Sequence, residues 1–345
     1  MYINYYGFSA KPFQLSPDPR FFFGSSVHKR ALAYLRYGLS QGEGFIVITG
    51  GIGTGKTTLV RSLFDELDLD RVVAAQLVTT QLDADDLLRM VVAAFGLPHK
   101  DLSKVSLIRQ FEDFLKSCAR DGKRVLLVVD EAQNLPPRSL EELRMLSNFQ
   151  ESDTPLLQSF LLGQEEFRAS LQAPGMEQLC QRIIASCHLG PLNTEETGAY
   201  IKHRLQVVGW TGRPRFDDAT FEAIHHYTKG VPRRVNVFCD RLLLFGFLEE
   251  LDAFSAQAVK AVGEEFSREL NDTERGAQSA MLRSASTDAA TSEYTVNAAD
   301  RIVELERTVA ALILEPSLQD VRLERLERRI NKLESLTSIA DSKNI

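Results

Sequence analysis

The sequence predicts an α/β fold, a three-layer sandwich around a parallel β-sheet, followed by a small helical domain. From Phe45 to about Leu192, short apolar segments alternate with longer amphipathic segments. Apolar strands separated by helices are typical of parallel sheets with right-handed crossover connections. After Asn193 the alternation ends, and the apolar residues repeat at the helical period of 3.6 residues.

Composition and charge narrow the class of protein. Of the 345 residues 44% are hydrophobic and 25% are charged, and the formal net charge is −7. These values are ordinary for a globular protein and argue against a broad basic surface for nucleic acid. The four cysteines form no Cys-x-x-Cys pair, which favours reduced thiols. Neither a signal peptide nor an apolar run near the ~20 residues of a membrane span is recognisable, so we expect a cytoplasmic protein.

The elements of the α/β region, residues 45–192, follow from the apolar segments. We expect strands buried on both faces in GFIVITG, VVAAQLVTT, RVLLVVD and LLQSFLLG. Helices are expected in TTLVRSLFDEL and DADDLLRMVVAAFG, which lie between strands. Residues 193–270 are predicted to form the helical domain, with Asp217 and Ser255 as helix N-caps.

The remaining residues divide into a linker and a tail. Residues 271–299 are rich in Ala, Ser and Thr, which predicts a flexible linker because they bury little apolar surface. Residues 300–341 carry apolar residues at heptad spacing, with Pro316 at one of the heptad positions. Because proline interrupts a helix, we expect two short coiled-coil segments. A helical hairpin that folds back on the body is the alternative.

The strongest motif is GGIGTGKT, residues Gly50–Thr57, which fits G-x-x-x-x-G-K-[ST] between a strand and a helix. Such a loop wraps nucleotide phosphates with backbone N–H groups. Lys56 is predicted to reach the β- and γ-phosphates of ATP, and the Thr57 hydroxyl to hold Mg²⁺. The predicted nucleotide-binding residues are Gly50, Gly51, Ile52, Gly53, Thr54, Gly55, Lys56, Thr57 and Thr58.

Two carboxylates follow the strand RVLLVVD and predict the hydrolytic side of the site. Asp130 and Glu131 emerge at the carboxyl edge of the sheet, where ligands of open α/β sheets bind. We expect Asp130 to hold Mg²⁺ through water and Glu131 to orient and deprotonate an attacking water. The alternative is that both acids lie in a solvated loop. Asp-Glu-Ala-Gln resembles a DEAD-type helicase box, but the second α/β domain of a helicase is missing.

An α/β region followed by a small helical lid resembles an AAA+ ATPase, and that resemblance implies three more site residues. Gln164 occupies the position of the sensor-1 polar residue, unless it caps a helix. Arg182 occupies the position of the arginine finger, unless it forms a local ion pair. In GVPRRVN, Arg233 corresponds to the sensor-2 arginine, with Arg234 as the alternative.

The first 268 residues resemble the ExeA/GspA-type secretion ATPases. The opening motif residues that carry this likeness are Phe8, Pro12, Phe13, Pro17, Asp18, Pro19, His28, Ala31 and Leu32. The resemblance implies that residues 1–44 pack on the ATPase core, with Phe8 to Phe13 near the adenine. Beyond the lid the chain departs from the ExeA pattern. A membrane-free member of the group, the ATPase of exosortase/PEP-CTERM and exopolysaccharide loci, matches better.

Three functions follow as hypotheses. The first is Mg²⁺-dependent ATP hydrolysis that supports protein export or sorting at the cell envelope, or exopolysaccharide production. The second is a nucleotide-gated interaction switch with slow hydrolysis. The third is a DNA-handling AAA+ ATPase of transposition or loader type, which the acidic net charge disfavours. The expected partners are copies of itself, in a ring or another oligomer, and envelope proteins that could hold it at the inner membrane.

Overall fold

The structure is a computed structural model in which the described residues belong to one compact unit, Met1–Asp272. The predicted linker (271–299), the predicted coiled coil (300–341) and Pro17 lie outside the described residues. Described are residues 1–16, 18–68, 70–78 and 83–269.

The described part of the chain contains nine strands and twelve α-helices. The strands are β1 (Phe45–Gly50), β2 (Val72–Val78), β3 (Arg124–Asp130), β4 (Gln150–Glu151), β5 (Thr154–Pro155), β6 (Leu157–Gly163), β7 (Ile183–Leu189), β8 (Arg215–Phe216) and β9 (Ala253–Phe254). The helices are α1 (Tyr2–Tyr6), α2 (Ser26–Gln41), α3 (Lys56–Glu66), α4 (Ala84–Ala94), α5 (Lys104–Arg120), α6 (Pro137–Leu146), α7 (Glu165–Leu171), α8 (Glu177–Cys180), α9 (Thr194–Val207), α10 (Asp218–Thr228), α11 (Pro232–Leu248) and α12 (256–269).

Five strands form one parallel sheet in the order β2-β3-β6-β1-β7. The four predicted strands are present, and β7, which the apolar pattern did not single out, is added at one edge. The prediction that all strands are buried on both faces was wrong for β2. This strand lies at the other edge, and most of its residues are only half-buried. An edge strand has a neighbour on one side only, so its backbone and side chains stay closer to solvent.

Helices cover both faces of the sheet and produce the predicted three layers. Successive side chains of a strand point to opposite faces. In β1, Ile46 and Ile48 pack with α2 and α3 on one face, while Phe45 and Val47 pack with α4 to α8 on the other. The carboxyl ends of all five strands therefore meet at one open edge, where the loops after β1 and β3 lie.

The helical lid contains α9 to α12, and two predicted N-caps are present. The Asp217 side chain accepts a hydrogen bond from the Thr220 backbone at the start of α10, and the Ser255 hydroxyl accepts one from the Ala258 backbone. Helix α9 begins at Thr194. Asn193 is its cap, in a reciprocal capping box with Glu196.

Residues 1–44 are divided between two parts of the unit. Helix α2 packs on the sheet, as expected for the whole segment. The aromatic residues before it instead complete the lid core: Tyr2, Tyr6, Phe8, Phe13 and Phe21 are buried together with residues of α9, α10 and α11. The Tyr2 hydroxyl also donates to Asp240 of α11 at 2.5 Å. The N-terminal aromatics are therefore part of the lid core.

Candidate nucleotide site

The phosphate-binding loop joins β1 to α3 as the motif predicted. Gly53 and Gly55 have φ angles of +79° and +100°, conformations that L side chains rarely adopt. Gly55 is the N-cap residue of α3, so the backbone N–H groups of the first helical turn face the open edge of the sheet. A loop of this shape is suited to an anion.

Lys56 is the fixed cation of this loop. Its side chain is 6% exposed, and Nζ donates to the carbonyl oxygens of Gly50 at 2.8 Å and Gly51 at 3.2 Å. Burial lowers the pKa of the ammonium, against the opposing charges of Glu131 and Asp130. The ammonium is thus held at the loop, next to the position for phosphate oxygens.

Oxygen ligands suited to Mg²⁺ meet beside the loop. The Thr57 hydroxyl donates to Asp130 Oδ2 at 2.9 Å, which joins the start of α3 to the end of β3. Among the described residues, no group of three or more His, Cys, Asp or Glu side chains could hold a metal by itself. Mg²⁺ in nucleotide sites needs only one or two protein oxygens, since phosphates and waters complete its shell. The hydroxyl and carboxylate fit that ion.

Glu131 adopts a left-handed backbone conformation, with φ +56°, directly after β3. Its Oε2 accepts hydrogen bonds from Gln133 Nε2 at 2.6 Å and Gln164 Nε2 at 3.0 Å. Burial acts to raise the pKa of Glu131, but these two hydrogen bonds and the charge of Lys56 outweigh it and hold the pKa below its usual range. The carboxylate is therefore ionised and oriented, unlike an acid in a solvated loop.

Gln164 lies where β6 ends, next to the end of β3. It occupies the N-cap position of α7, but its side chain makes no capping hydrogen bond. The side chain contacts Glu131, and its backbone N–H donates to Gln133 Oε1 at 3.0 Å. Gln133 belongs to the Asp-Glu-Ala-Gln box, but the sequence analysis gave it no role of its own. It forms hydrogen bonds with both Glu131 and Gln164.

The lid contributes Arg233 and not Arg234 to the pocket lining. Arg233 lies in the first turn of α11, and its backbone N–H donates to the carbonyl of Gly53 at 3.2 Å. A Cβ at Gly53 would lie 2.4 Å from the Arg233 Cβ, so the loop and the lid are in direct contact. The exposed Arg233 side chain lines the same pocket as the loop and Glu131.

Arg182 lies at the other end of the sheet within this chain. It precedes β7, whose first residue pairs with Phe45, the first residue of β1. The strands are about 20 Å long, so the amino ends of the sheet, where Arg182 lies, are about that far from the carboxyl ends. The Arg182 guanidinium donates to the hydroxyl and carbonyl oxygens of Ser147, at 3.0 and 3.3 Å. The structure therefore does not bring Arg182 to the nucleotide site of its own chain.

One pocket joins the loop, Glu131, Arg233 and the N-terminal segment. Phe8 and Phe13, which are expected near the adenine, are buried in the lid core and do not line this pocket. Residues of the segment that follows do line it, namely Gln14, Leu15, Ser16, Asp18, Phe21, Phe22 and Phe23. The lining residues to which the sequence analysis gave no site role include Gln14, Leu15, Phe22, Phe23, His28, Tyr200, Arg204 and Asn236. The aromatic run RFFF was a signal for Phe22 and Phe23, and the opening motif was one for His28.

Comparisons with known proteins agree with this fold. Residues 39–171 match the AAA domain family. Over 248 residues the chain is 40% identical to general secretion pathway protein A of Aeromonas hydrophila. The matched region covers 72% of this chain and 45% of that protein. The chain therefore spans less than half the length of this relative. The chain therefore has an AAA domain and is similar to general secretion pathway protein A over this length.

Two solved structures illustrate the fold. The ORC2 protein of Aeropyrum pernix has a TM-score of 0.56 at 17% identity, over 74% of this chain and 72% of that one. A Walker-type ATPase of Pyrococcus abyssi has a TM-score of 0.56 at 16% identity, over 78% and 80%. At such identities the likeness shows the fold alone. The predicted parallel-sheet P-loop NTPase fold of AAA type is confirmed.

Proposed function

From an AAA domain in a chain similar to general secretion pathway protein A, we propose that this protein hydrolyses ATP with Mg²⁺. One observation carries the proposal: Lys56, Thr57, Glu131 and Arg233 line a single pocket.

The residues of the pocket have different roles in hydrolysis. Glu131 accepts a proton from the attacking water, and Gln164 holds the carboxylate that does so. Lys56 and Arg233 supply positive charge where phosphate oxygens become more negative. When bound, Mg²⁺ would neutralise phosphate charge, with Thr57 and Asp130 as its protein oxygens.

Paired variants test the assignment. Lys56→Ala is expected to abolish ATP binding, and Glu131→Gln to retain binding while turnover falls about 10²- to 10⁴-fold. Glu112→Gln is the matched control, because Glu112 forms an ion pair with Lys116 on α5, outside the pocket. ATP affinity and phosphate release are measured on the purified proteins. Unchanged turnover in Glu131→Gln would overturn the catalytic role.

We further propose that this activity serves export at the cell envelope. The support is the similarity to general secretion pathway protein A and nothing in the pocket itself. A role with exosortase or exopolysaccharide systems rests on the sequence resemblance alone. Among the described residues, no helix is long and apolar enough to cross a membrane. A cytoplasmic place, peripheral to the inner membrane through partners, is part of this proposal.

Self-association is the remaining part of the proposal. Arg182 lies away from the pocket of its own chain, so a role as arginine finger would place it in the pocket of a neighbouring copy. Sedimentation with and without ATP tests it. A monomer with full turnover under both conditions would contradict both the oligomer and the finger.

A further inference from the structure

His28 connects helix α2 to the phosphate-binding loop. It lies in the first turn of α2, is 5% exposed and lines the nucleotide pocket. Its Nε2 is 3.0 Å from the carbonyl oxygen of Thr54, and its Nδ1 is 2.7 Å from the Ser25 hydroxyl. Both ring nitrogens therefore have a partner, and one partner is the loop itself.

The two partners determine which nitrogen carries the proton. A carbonyl oxygen only accepts hydrogen bonds, so Nε2 must be the donor to Thr54. In the neutral ring Nδ1 is then an acceptor, and the Ser25 hydroxyl donates to it. Burial lowers the pKa of His28, which favours this neutral form.

The contact with Thr54 determines the direction of the next N–H group. The carbonyl of Thr54 and the N–H of Gly55 belong to one planar trans peptide and point in opposite directions. Because the Thr54 oxygen points toward His28, the Gly55 N–H points away from His28. Gly55 lines the pocket, and its conformation, φ +100°, is one that few residues other than glycine adopt.

The imidazole also explains why position 55 has no side chain. A Cβ on Gly55 would lie 2.9 Å from His28 Nε2, closer than real contacts allow. The start of α2 is itself held in place from the lid. The backbone N–H and the hydroxyl of Ser26 both donate to Glu196 Oε1 of α9, at 2.9 and 2.8 Å. His28 is thus a fixed support behind the loop.

We propose that His28 is a positioning residue for phosphate binding, which orients the Gly55 N–H through its hydrogen bond to the Thr54 carbonyl. This inference rests on the proposed function, since it assumes that the loop binds the phosphates of ATP. His28 itself touches the loop backbone and takes no part in the chemistry.

The test compares two substitutions that fill similar space. In His28→Gln, the amide nitrogen is as many bonds from Cβ as Nε2 is, so it can still donate to Thr54. His28→Leu has no donor. Losing a hydrogen bond that organises an anion site is expected to weaken ATP binding about tenfold in His28→Leu, whereas His28→Gln stays within about threefold of the unchanged protein.

Controls separate this role from a purely structural one. His225→Leu is the matched control, because His225 is half-buried and pairs with the Thr197 hydroxyl outside the pocket. Dissociation constants for ATP are measured in all variants, beside thermal unfolding without nucleotide. If His28→Leu binds ATP as the unchanged protein does, or if Gln and Leu weaken it equally, the proposal is overturned. An unchanged protein that binds no ATP overturns the proposed function, and this inference with it.

Discussion

The contact between Gly53 and Arg233 gives the sharpest prediction about the lid. A Cβ at Gly53 would lie 2.4 Å from the Arg233 Cβ, and non-bonded carbon atoms settle about 3.5–4.0 Å apart. Gly53→Ala therefore forces the loop and the first turn of α11 about 1 Å further apart. The hydrogen bond from the Arg233 backbone to the Gly53 carbonyl lengthens with them.

Gly53→Ala is expected to have two effects: a backbone cost in stability, and a loss of ATP turnover because Arg233 is displaced. Alanine in the left-handed region costs about 1–2 kcal/mol. Gly96 has a similar φ of +74° and no atom within 4 Å of its Cβ position, so Gly96→Ala isolates that backbone cost. Misplacing an active-site group by about 1 Å lowers rates about 100-fold. We expect that loss of ATP turnover in Gly53→Ala, and turnover within about twofold of normal in Gly96→Ala.

The assay is steady-state ATP hydrolysis at saturating Mg-ATP, with urea unfolding of each variant to compare stability. Gly53→Ala is also combined with Arg233→Ala. If the alanine acts by displacing Arg233, the double variant is expected to turn over no slower than Arg233→Ala alone, because effects on one contact do not add. Turnover in Gly53→Ala that matches Gly96→Ala would refute the reasoning.

Three further predictions concern the carboxylate, the arginine outside the pocket and the lid core. Gln164→Leu removes a hydrogen bond that lowers the pKa of Glu131, so the acidic limb of the pH–rate profile should move to higher pH; an unmoved limb would contradict this. Arg182→Ala should lower turnover at unchanged ATP affinity, whereas Ser147→Ala should keep turnover; equal turnover in the two variants would leave Arg182 a structural role. Arg204→Met removes the three hydrogen bonds of a buried guanidinium and should lower the free energy of unfolding by about 3 kcal/mol in urea titrations; a loss under about 1 kcal/mol would count against it.

The sequence by itself determined the core architecture and the loop. Gly50–Thr57 forms one continuous motif between a strand and a helix, so its function follows from local residues and their order. Asp130 and Glu131 directly follow a strongly apolar strand. Because parallel strands end at one edge, their meeting with the loop was predictable without coordinates.

Only the tertiary structure decided which residues far apart in the chain share the pocket. The segment IIASCHL, which the sequence analysis did not single out, becomes β7 because β1 offers it a backbone partner, a pairing that apolar periodicity does not reveal. The support of Thr54 by His28, which lies 26 residues away in the chain, depends on side-chain direction. Such contacts arise from packing between elements, and the spacing of residues in the sequence carries no record of it.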